Sequence, residues 1–384
     1  SYTSNNFTMK TLAFKGASAL LIGMAAISFV SCSDDEPYQN RTATSAGRDA
    51  ITFRSGMGTR ATETTNQNLD SIFVTAFRTG STQTLGEDNL YFQNICYVKG
   101  ANTLFTSDKE YSWLDNNETL RFLSYSPSQD ELGADIVLDN NSLVLTDFAV
   151  ADQISDQVDF ITADASGNKK ENEVSGVELT FDHRLSQIEI QAKSGSKTYN
   201  YKVLGARIGR AQYVGSFDFV TKQWTLDSWH DTAVYDTQCD TTELTTTPVS
   251  LMGAAGNAML IPQTLTPWDP MGDPDNVARE AYLSVLVQIT RKDNGMQIYP
   301  YPDDRNHRQF GWVSIPLKGT WEQGKKYIYT LDFTNGAGNI DPDDPNPGEP
   351  VLGAIKFTVN VNPWVNSDNQ IPMTPTLPSK ARIR

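Results

Sequence analysis

Leu185-Ser186-Gln187-Ile188-Glu189-Ile190-Gln191-Ala192 sets apolar and polar residues in alternation. Successive side chains of an extended chain point to opposite faces, so Ile188, Ile190 and Ala192 line one face and polar residues the other. That is a half-buried β-strand. Runs of the same kind recur upstream at 72–77, 90–98, 119–125 and 177–181, and downstream at 199–208, 258–261, 282–289, 312–317 and 326–333. Each is short, rich in β-branched or aromatic residues, and closed by Gly, Asn, Asp or Pro. No long window beyond the amino-terminal apolar stretch carries helical periodicity. Many short strands between regular turn signals indicate an all-β chain of β-sandwiches. A break near 182–186 divides it into an N-terminal sandwich, 61–184, and a C-terminal one, 185–338.

The bulk composition narrows the function classes. A formal net charge of −15 argues against nucleic acid and against an anionic membrane surface as partners. With 39% hydrophobic and only 20% charged residues the chain is globular rather than disordered. Residues 1–8 precede the start Met9 and read as an upstream extension. Met9, Lys10 and Lys15 open a basic region, an apolar and small-residue run covers 16–30, and Cys32 follows at once. That run is shorter than the about 20 residues a bilayer span needs, so 9–31 reads as an export signal. Phe29-Val30-Ser31-Cys32 resembles the lipobox of bacterial lipoproteins, with Phe29 where Leu is usual, which makes Cys32 the lipidation site. Ser33-Asp34-Asp35-Glu36 behind it resembles a surface-export signal. The other reading is a plain secretory peptide followed by a chance cysteine. Cys96 and Cys239 make no disulfide framework, and nothing in the sequence brings them together.

Two strand patterns hang at the ends of the chain. Ala50-Ile51-Thr52-Phe53-Arg54-Ser55-Gly56-Met57 and Ala354-Ile355-Lys356-Phe357-Thr358-Val359-Asn360-Val361 share Ala-Ile-x-Phe and the same period. Counted from each Ile, the inward positions are Ile51, Phe53, Ser55 and Met57 against Ile355, Phe357, Val359 and Val361. Gly56, Gly58 and Thr59 surround the Arg60-Ala61 bond in a polar connector that a trypsin-like protease can reach. If that bond is cut, the first strand can leave and expose an unpaired edge, which demands another strand. The C-terminal strand of a second molecule is the candidate filler. The plainer alternative is two ordinary edge strands of one monomer. On the first reading 32–60 is a propeptide with a placeholder strand, and 354–384 is a donor strand with its tail. The segment 339–353, rich in Pro, Asp and Gly, is expected to run as an extended, semi-stiff linker. Its carboxylates Asp341, Asp343, Asp344 and Glu349 lack the spacing of a calcium loop, so no metal is expected.

Enzyme chemistry finds no support in the residue pattern. Ser194-Gly195-Ser196-Lys197 and Ser367-Asp368-Asn369 match two pieces of a serine β-lactamase set, but Lys318-Gly319-Thr320 is not its third. His183, His230 and His307 have no partners at zinc-ligand spacing. Phosphate-cradling glycine motifs are absent, and no cofactor is implied. Trp224, Trp229, Trp268 and Trp312 could stack on sugars, which keeps a monomeric or anchoring glycan-binding surface lipoprotein as the alternative function.

Taken in order, several stretches resemble the fimbrillin family of Bacteroidales, the lipoprotein-precursor type V pilins. They are the lipobox, Gly58-Thr59-Arg60-Ala61-Thr62-Glu63-Thr64, Phe181-Asp182-His183-Arg184-Leu185-Ser186, Met259-Leu260-Ile261-Pro262-Gln263, Trp321-Glu322-Gln323-Gly324-Lys325-Lys326-Tyr327, and Ile355-Lys356-Phe357 leading to Trp364. The resemblance runs from Met9 to Trp364 and rests on order and spacing rather than on one motif. It implies two transthyretin-like β-sandwiches and polymerisation by strand exchange with copies of itself or related pilins. It also implies processing by a signal peptidase and an arginine-specific protease, and an outer-membrane lipid on Cys32 before maturation. Arg60-Ala61 is then the maturation bond, and Ile355, Phe357, Val359, Val361 and Trp364 belong to the donor strand. A protease site together with a C-terminal donor resembles stalk subunits, although the tail 366–384 is longer than a donor strand needs.

Overall fold

The computed structural model describes residues 49–55, 69–78, 85–139, 141–229, 232–272, 279–301, 308–344 and 347–364. Cys32, Met57, Arg60 and Ala61 lie outside the described residues. The protein is nearly all β.

The first half supplies β1 (Phe53–Ser55), β2 (Ser71–Arg78), β3 (Leu90–Lys99), β4 (Phe105–Thr106), β5 (Leu120–Ser126), β6 (Asp135–Asp139), β7 (Ser142–Ala149), β8 (Ile161–Gly167), β9 (Val177–Leu179) and β10 (Asp182–His183). Eight of them form one sheet in the order β10-β8-β5-β2-β3-β4-β1-β9. Its two edge strands are consecutive in the chain, separated by Thr180 and Phe181 alone. The sheet therefore rolls until both edges meet in the run from Val177 to His183. Its interior is apolar and largely aromatic, with Ile72, Val74, Tyr97, Phe105, Trp113 and Phe122 buried together. Ser128 and Glu131 form a capping box on a one-turn helix before β6, and Gly133 ends it at φ +61.

The second half supplies β11 (Ser186–Lys193), β12 (Tyr199–Gln212), β13 (Val214–Asp218), β14 (Gln223–Leu226), β15 (Thr232–Asp236), β16 (Thr242–Glu243), β17 (Val249–Ser250), β18 (Ala258–Leu260) and β19 (Thr264–Pro267). It continues with β20 (Glu280–Arg291), β21 (Gln297–Tyr299), β22 (Gly311–Pro316), β23 (Gly319–Thr320), β24 (Lys325–Asp332), β25 (Asn339–Ile340) and β26 (Lys356–Pro363). The alternating strand β11 sits inside a sheet ordered β17-β11-β24-β26, and a larger sheet is built on the β12–β20 pair. Gly209 on β12 is required there, because a Cβ would come within 2.1 Å of the Tyr282 ring on β20. A fourth sheet, β14-β13-β7-β6, takes two strands from each half. Phe148, Phe160, Phe217, Phe219 and Trp224 pack ring against ring behind it.

The segment 339–353 departs from its expected extended form. β25 pairs with β22 through Val313↔Ile340 and Ser314↔Asn339, and the chain folds back so that Ile340 N–H donates to Glu349 O at 2.8 Å. Asp341 is only 2% exposed. Its carboxylate accepts from the hydroxyls of Ser284 at 2.8 Å and Ser314 at 3.2 Å, and faces Arg207 at 3.4 Å. Arg210 meets Asp343, and Arg308 meets Asp344. An acidic, proline-bearing stretch reads as solvated when its partners are unknown; here Arg207 and Arg210 on β12 and Arg308 before β22 neutralise it and hold it down.

Candidate functional site

The N-terminal strand β1 lies inside the rolled sheet, not on its rim. It pairs antiparallel with β4 through Phe53↔Phe105 and parallel with β9 through Phe53↔Val177, Arg54↔Glu178 and Ser55↔Leu179. Just before it, Ile51 N–H donates to Tyr111 O and Trp113 N–H to Asp49 O, at 2.8 and 3.0 Å. Phe53 is fully buried and meets the edges of Tyr97 and Phe122 at centroid distances of 4.8 and 5.0 Å. Ile51 is buried as well, whereas Ser55 is half-buried. Two ion pairs mark the rim, Arg54–Glu178 at 2.8 Å and Lys169–Asp49 at 2.9 Å, both with exposed members.

The C-terminal strand β26 is placed differently. It forms the outer strand of its sheet, antiparallel to β24 over eight residue pairs from Lys325↔Pro363 to Asp332↔Lys356. Phe357, Val359 and Val361 stand opposite Leu331, Tyr329 and Tyr327. Those partners are buried, but Val359 is 37% and Val361 52% exposed, and Ile355 and Phe357 are half-buried. The apolar row of this strand therefore overhangs its own core.

Trp364, one residue past β26, is the exception. It is buried, stacks on His183 with centroids 4.1 Å apart and planes 5° apart, and donates its N–H to Gly324 O at 2.8 Å. His183 Nδ1 lies 2.9 and 3.0 Å from the two carboxylate oxygens of the buried Asp159, and its Nε2 has no hydrogen-bond partner. The structure thus brings the donor candidate Trp364 onto His183, a histidine with no partner at zinc-ligand spacing in the sequence. His183 and Asp159 stand 24 residues apart, and no spacing in the sequence links either to position 364.

The remaining candidates divide clearly. Trp268 is buried, and Trp224 packs among phenylalanines while its Nε1–H donates to Arg184 O at 2.6 Å. Trp312 is covered by the Arg207 guanidinium at 4.3 Å, and Trp229 is 92% exposed. The hydroxyls of Ser194 and Ser196 accept backbone N–H groups within the β11–β12 turn. His230 and His307 lie outside the described residues. Among the described residues no group of three or more His, Cys, Asp or Glu could hold a metal ion, and no helix is long and apolar enough to cross a membrane. Cys239 is a free thiol whose pKa is pushed up by burial, so it is not joined to Cys96.

A strand buried between two neighbours and a second strand of like pattern at the outer edge of another sheet are the two distinguishing features of this all-β chain. The family model for fimbrillin-like proteins matches residues 59–364, and the chain belongs to that family of fimbrial structural proteins. Among solved structures, a fimbrial protein from Bacteroides vulgatus ATCC 8482 is similar at 16% identity and a TM-score of 0.56, covering 83% of this chain and 100% of that one. A putative cell adhesion protein from Bacteroides ovatus ATCC 8483 shares 17% identity over 84% of this chain and 100% of its own, with a TM-score of 0.44. A fimbrilin from Porphyromonas gingivalis W83 shares 11% identity over 83% of this chain and 98% of its own, with a TM-score of 0.42. No curated protein sequence matches.

Proposed function

We propose that this chain is a stalk subunit of a cell-surface fimbria, exported as a lipoprotein on Cys32, matured at Arg60-Ala61 and polymerised by donor-strand exchange. Two sandwiches, divided at 184/185, form its body. The observation that carries this reading is the unequal burial of the two Ala-Ile-x-Phe strands. Phe53 is fully buried, while Val359 and Val361 stay wet on the strand that could replace it. Moving the C-terminal strand of a neighbour into the β1 groove in the same register sets Phe357 in the Phe53 pocket and Val359 at the half-buried Ser55 position. Full burial of an aliphatic side chain is worth about 1.5–3 kcal/mol, so at this half-buried position the donor gains a fraction of that where the placeholder offers a hydroxyl. The rim pairs Arg54–Glu178 and Lys169–Asp49 are lost, but exposed ion pairs are worth only about 0–1 kcal/mol each. The balance favours exchange once the first strand is free to leave.

Limited trypsin digestion of the full precursor tests this. Cutting at Arg60 should give a chain beginning at Ala61 that forms oligomers, and removing 354–384 should abolish them while the rest stays folded. A cleanly trimmed chain that remains monomeric overturns the proposal. A glycan-binding surface lipoprotein is the second reading, favoured by the 92% exposure of Trp229. It predicts sugar binding that is lost in Trp229→Ala and is indifferent to Arg60.

A further inference from the structure

Two unlike contacts hold the C-terminal strand on its own subunit. Along Lys356–Pro363 the backbone pairs with β24, yet every side chain of the strand is exposed or half-exposed. Water stands ready to replace such bonds, so an outer strand of this kind opens locally at low cost. At its end Trp364 behaves otherwise: the indole is 6% exposed and lies flat on the imidazole of His183.

The seat beneath it is preformed. β10 pairs with β8 through His183↔Ile161, and the next residue, Arg184, donates its N–H to Phe160 O at 2.9 Å. Asp159 holds Nδ1 at the ring edge through both carboxylate oxygens, which restrains the imidazole. Gly324, whose carbonyl receives the Trp364 N–H, is itself anchored by donating to Leu185 O at 2.9 Å. None of these contacts involves the strand they retain. The seat also closes the run Val177–His183, whose opening residues flank β1. One short run therefore borders the first strand at one end and grips the last strand at the other.

We propose that Trp364 is a latch. Its stack on His183 keeps the C-terminal strand parked on its own subunit, and opening that contact, rather than unzipping the ladder, sets how readily the strand becomes available. The importance given to availability rests on the donor-strand reading above; the latch itself is a property of the uncut chain.

Hydrogen exchange of the full precursor tests it, with the amides of 356–363 followed against those of β20. Trp364→Leu removes the stack but keeps an apolar side chain. His183→Asn keeps a donor for Asp159 and removes the flat ring. Each variant should accelerate exchange along 356–363 by on the order of tenfold to a hundredfold, with β20 unchanged, while Val361→Ala on the exposed row should leave the rate near that of the parent. Unchanged exchange in both latch variants, with β20 intact, overturns the latch. Equal acceleration by Val361→Ala also overturns it, since the whole strand and not its end would then govern opening. The two proposals fail separately. If trypsin-trimmed parent chains polymerise while the latch variants exchange normally, strand donation stands and the latch falls. If the variants open faster but trimmed chains stay monomeric, the latch stands and strand donation falls.

Discussion

Two stretches of this chain, those carrying β1 and β26, begin Ala-Ile-x-Phe, and the protein buries one and leaves the other half wet. β1 is bonded on both edges, to β4 and β9, and its Phe53 is enclosed by Tyr97, Phe105 and Phe122. β26 is bonded on the β24 side, and its matching Phe357 is only half-buried. A shared alternation thus says that each strand has an apolar face, not that each face is covered. Coverage depends on what lies opposite, and only the first strand has a closed wall of aromatic rings to meet.

The comparison can be broken most directly at its two phenylalanines. Phe53→Ala should destabilise the full chain by about 3–5 kcal/mol, the cost of a cavity in a packed core, whereas Phe357→Ala should cost about 1 kcal/mol or less. Urea unfolding of both variants decides it, and equal losses would remove the asymmetry. The next largest effect tests where the C-terminal arm begins. Asp341→Ala leaves Arg207 with Asp236 as its carboxylate partner and removes the acceptor shared by the Ser284 and Ser314 hydroxyls, which keep each other at 2.6 Å. A loss of about 2–4 kcal/mol is expected, somewhat below the full cost of breaking a buried pair. Protease sensitivity should then spread from the arm into 339–351; a segment already sensitive in the parent would mean that it is a free linker after all.

Acid should act on the sheet that carries the C-terminal strand. Asp332 pairs across from Lys356 at the start of β26. Burial alone would raise its carboxyl, but bonds from the Thr334 hydroxyl and N–H, with Lys193 nearby, hold it below the ordinary carboxylate range. A depressed folded value contributes stability above the unfolded pKa of about 3.9 that is lost as pH falls through the folded one. Unfolding midpoints should therefore drop below about pH 4, and Asp332→Asn should flatten part of that fall. The smallest effect belongs to the rim of the β1 groove. Arg54→Ala should change stability by about 0.5 kcal/mol or less, because both members of its pair are exposed. A larger loss would mean that the rim, not Phe53, holds the first strand.

Much of the fold was legible because alternation is local. The runs at 72–77, 90–98 and 199–208 fall within strands, the run at 119–125 overlaps β5 from Leu120 onward, and β11 carries the alternation from which the all-β reading starts. Strands β6 to β8, β13 and β14 lie outside those runs. β7 is interrupted by Asp147 at φ +54, β8 runs Ile161-Thr162-Ala163-Asp164-Ala165-Ser166-Gly167 with few large apolar residues, and β13 and β14 are short. Phe148, Phe217 and Trp224 of β7, β13 and β14 pack in the aromatic cluster between the halves, and Ile161 and Ala163 of β8 lie in the core of the first half; no window of sequence contains either set of partners. The same limit hides the seat of Trp364, since His183, Asp159 and Gly324 converge from three separate places in the chain.

By itself the sequence determined the β character, the two matching terminal strands and the order of motifs that places the chain among the fimbrillins. Those features depend on residue type at a period of two, which backbone geometry enforces wherever the strand lies. Tertiary structure alone decided which of the twins is buried, that Asn339–Ile340 and Asp341 are held against β22 and β20 rather than free, and that Trp364 ends on His183. Burial and ion pairing are properties of what two distant segments do to each other in space, and alternation along one segment carries no record of its partner.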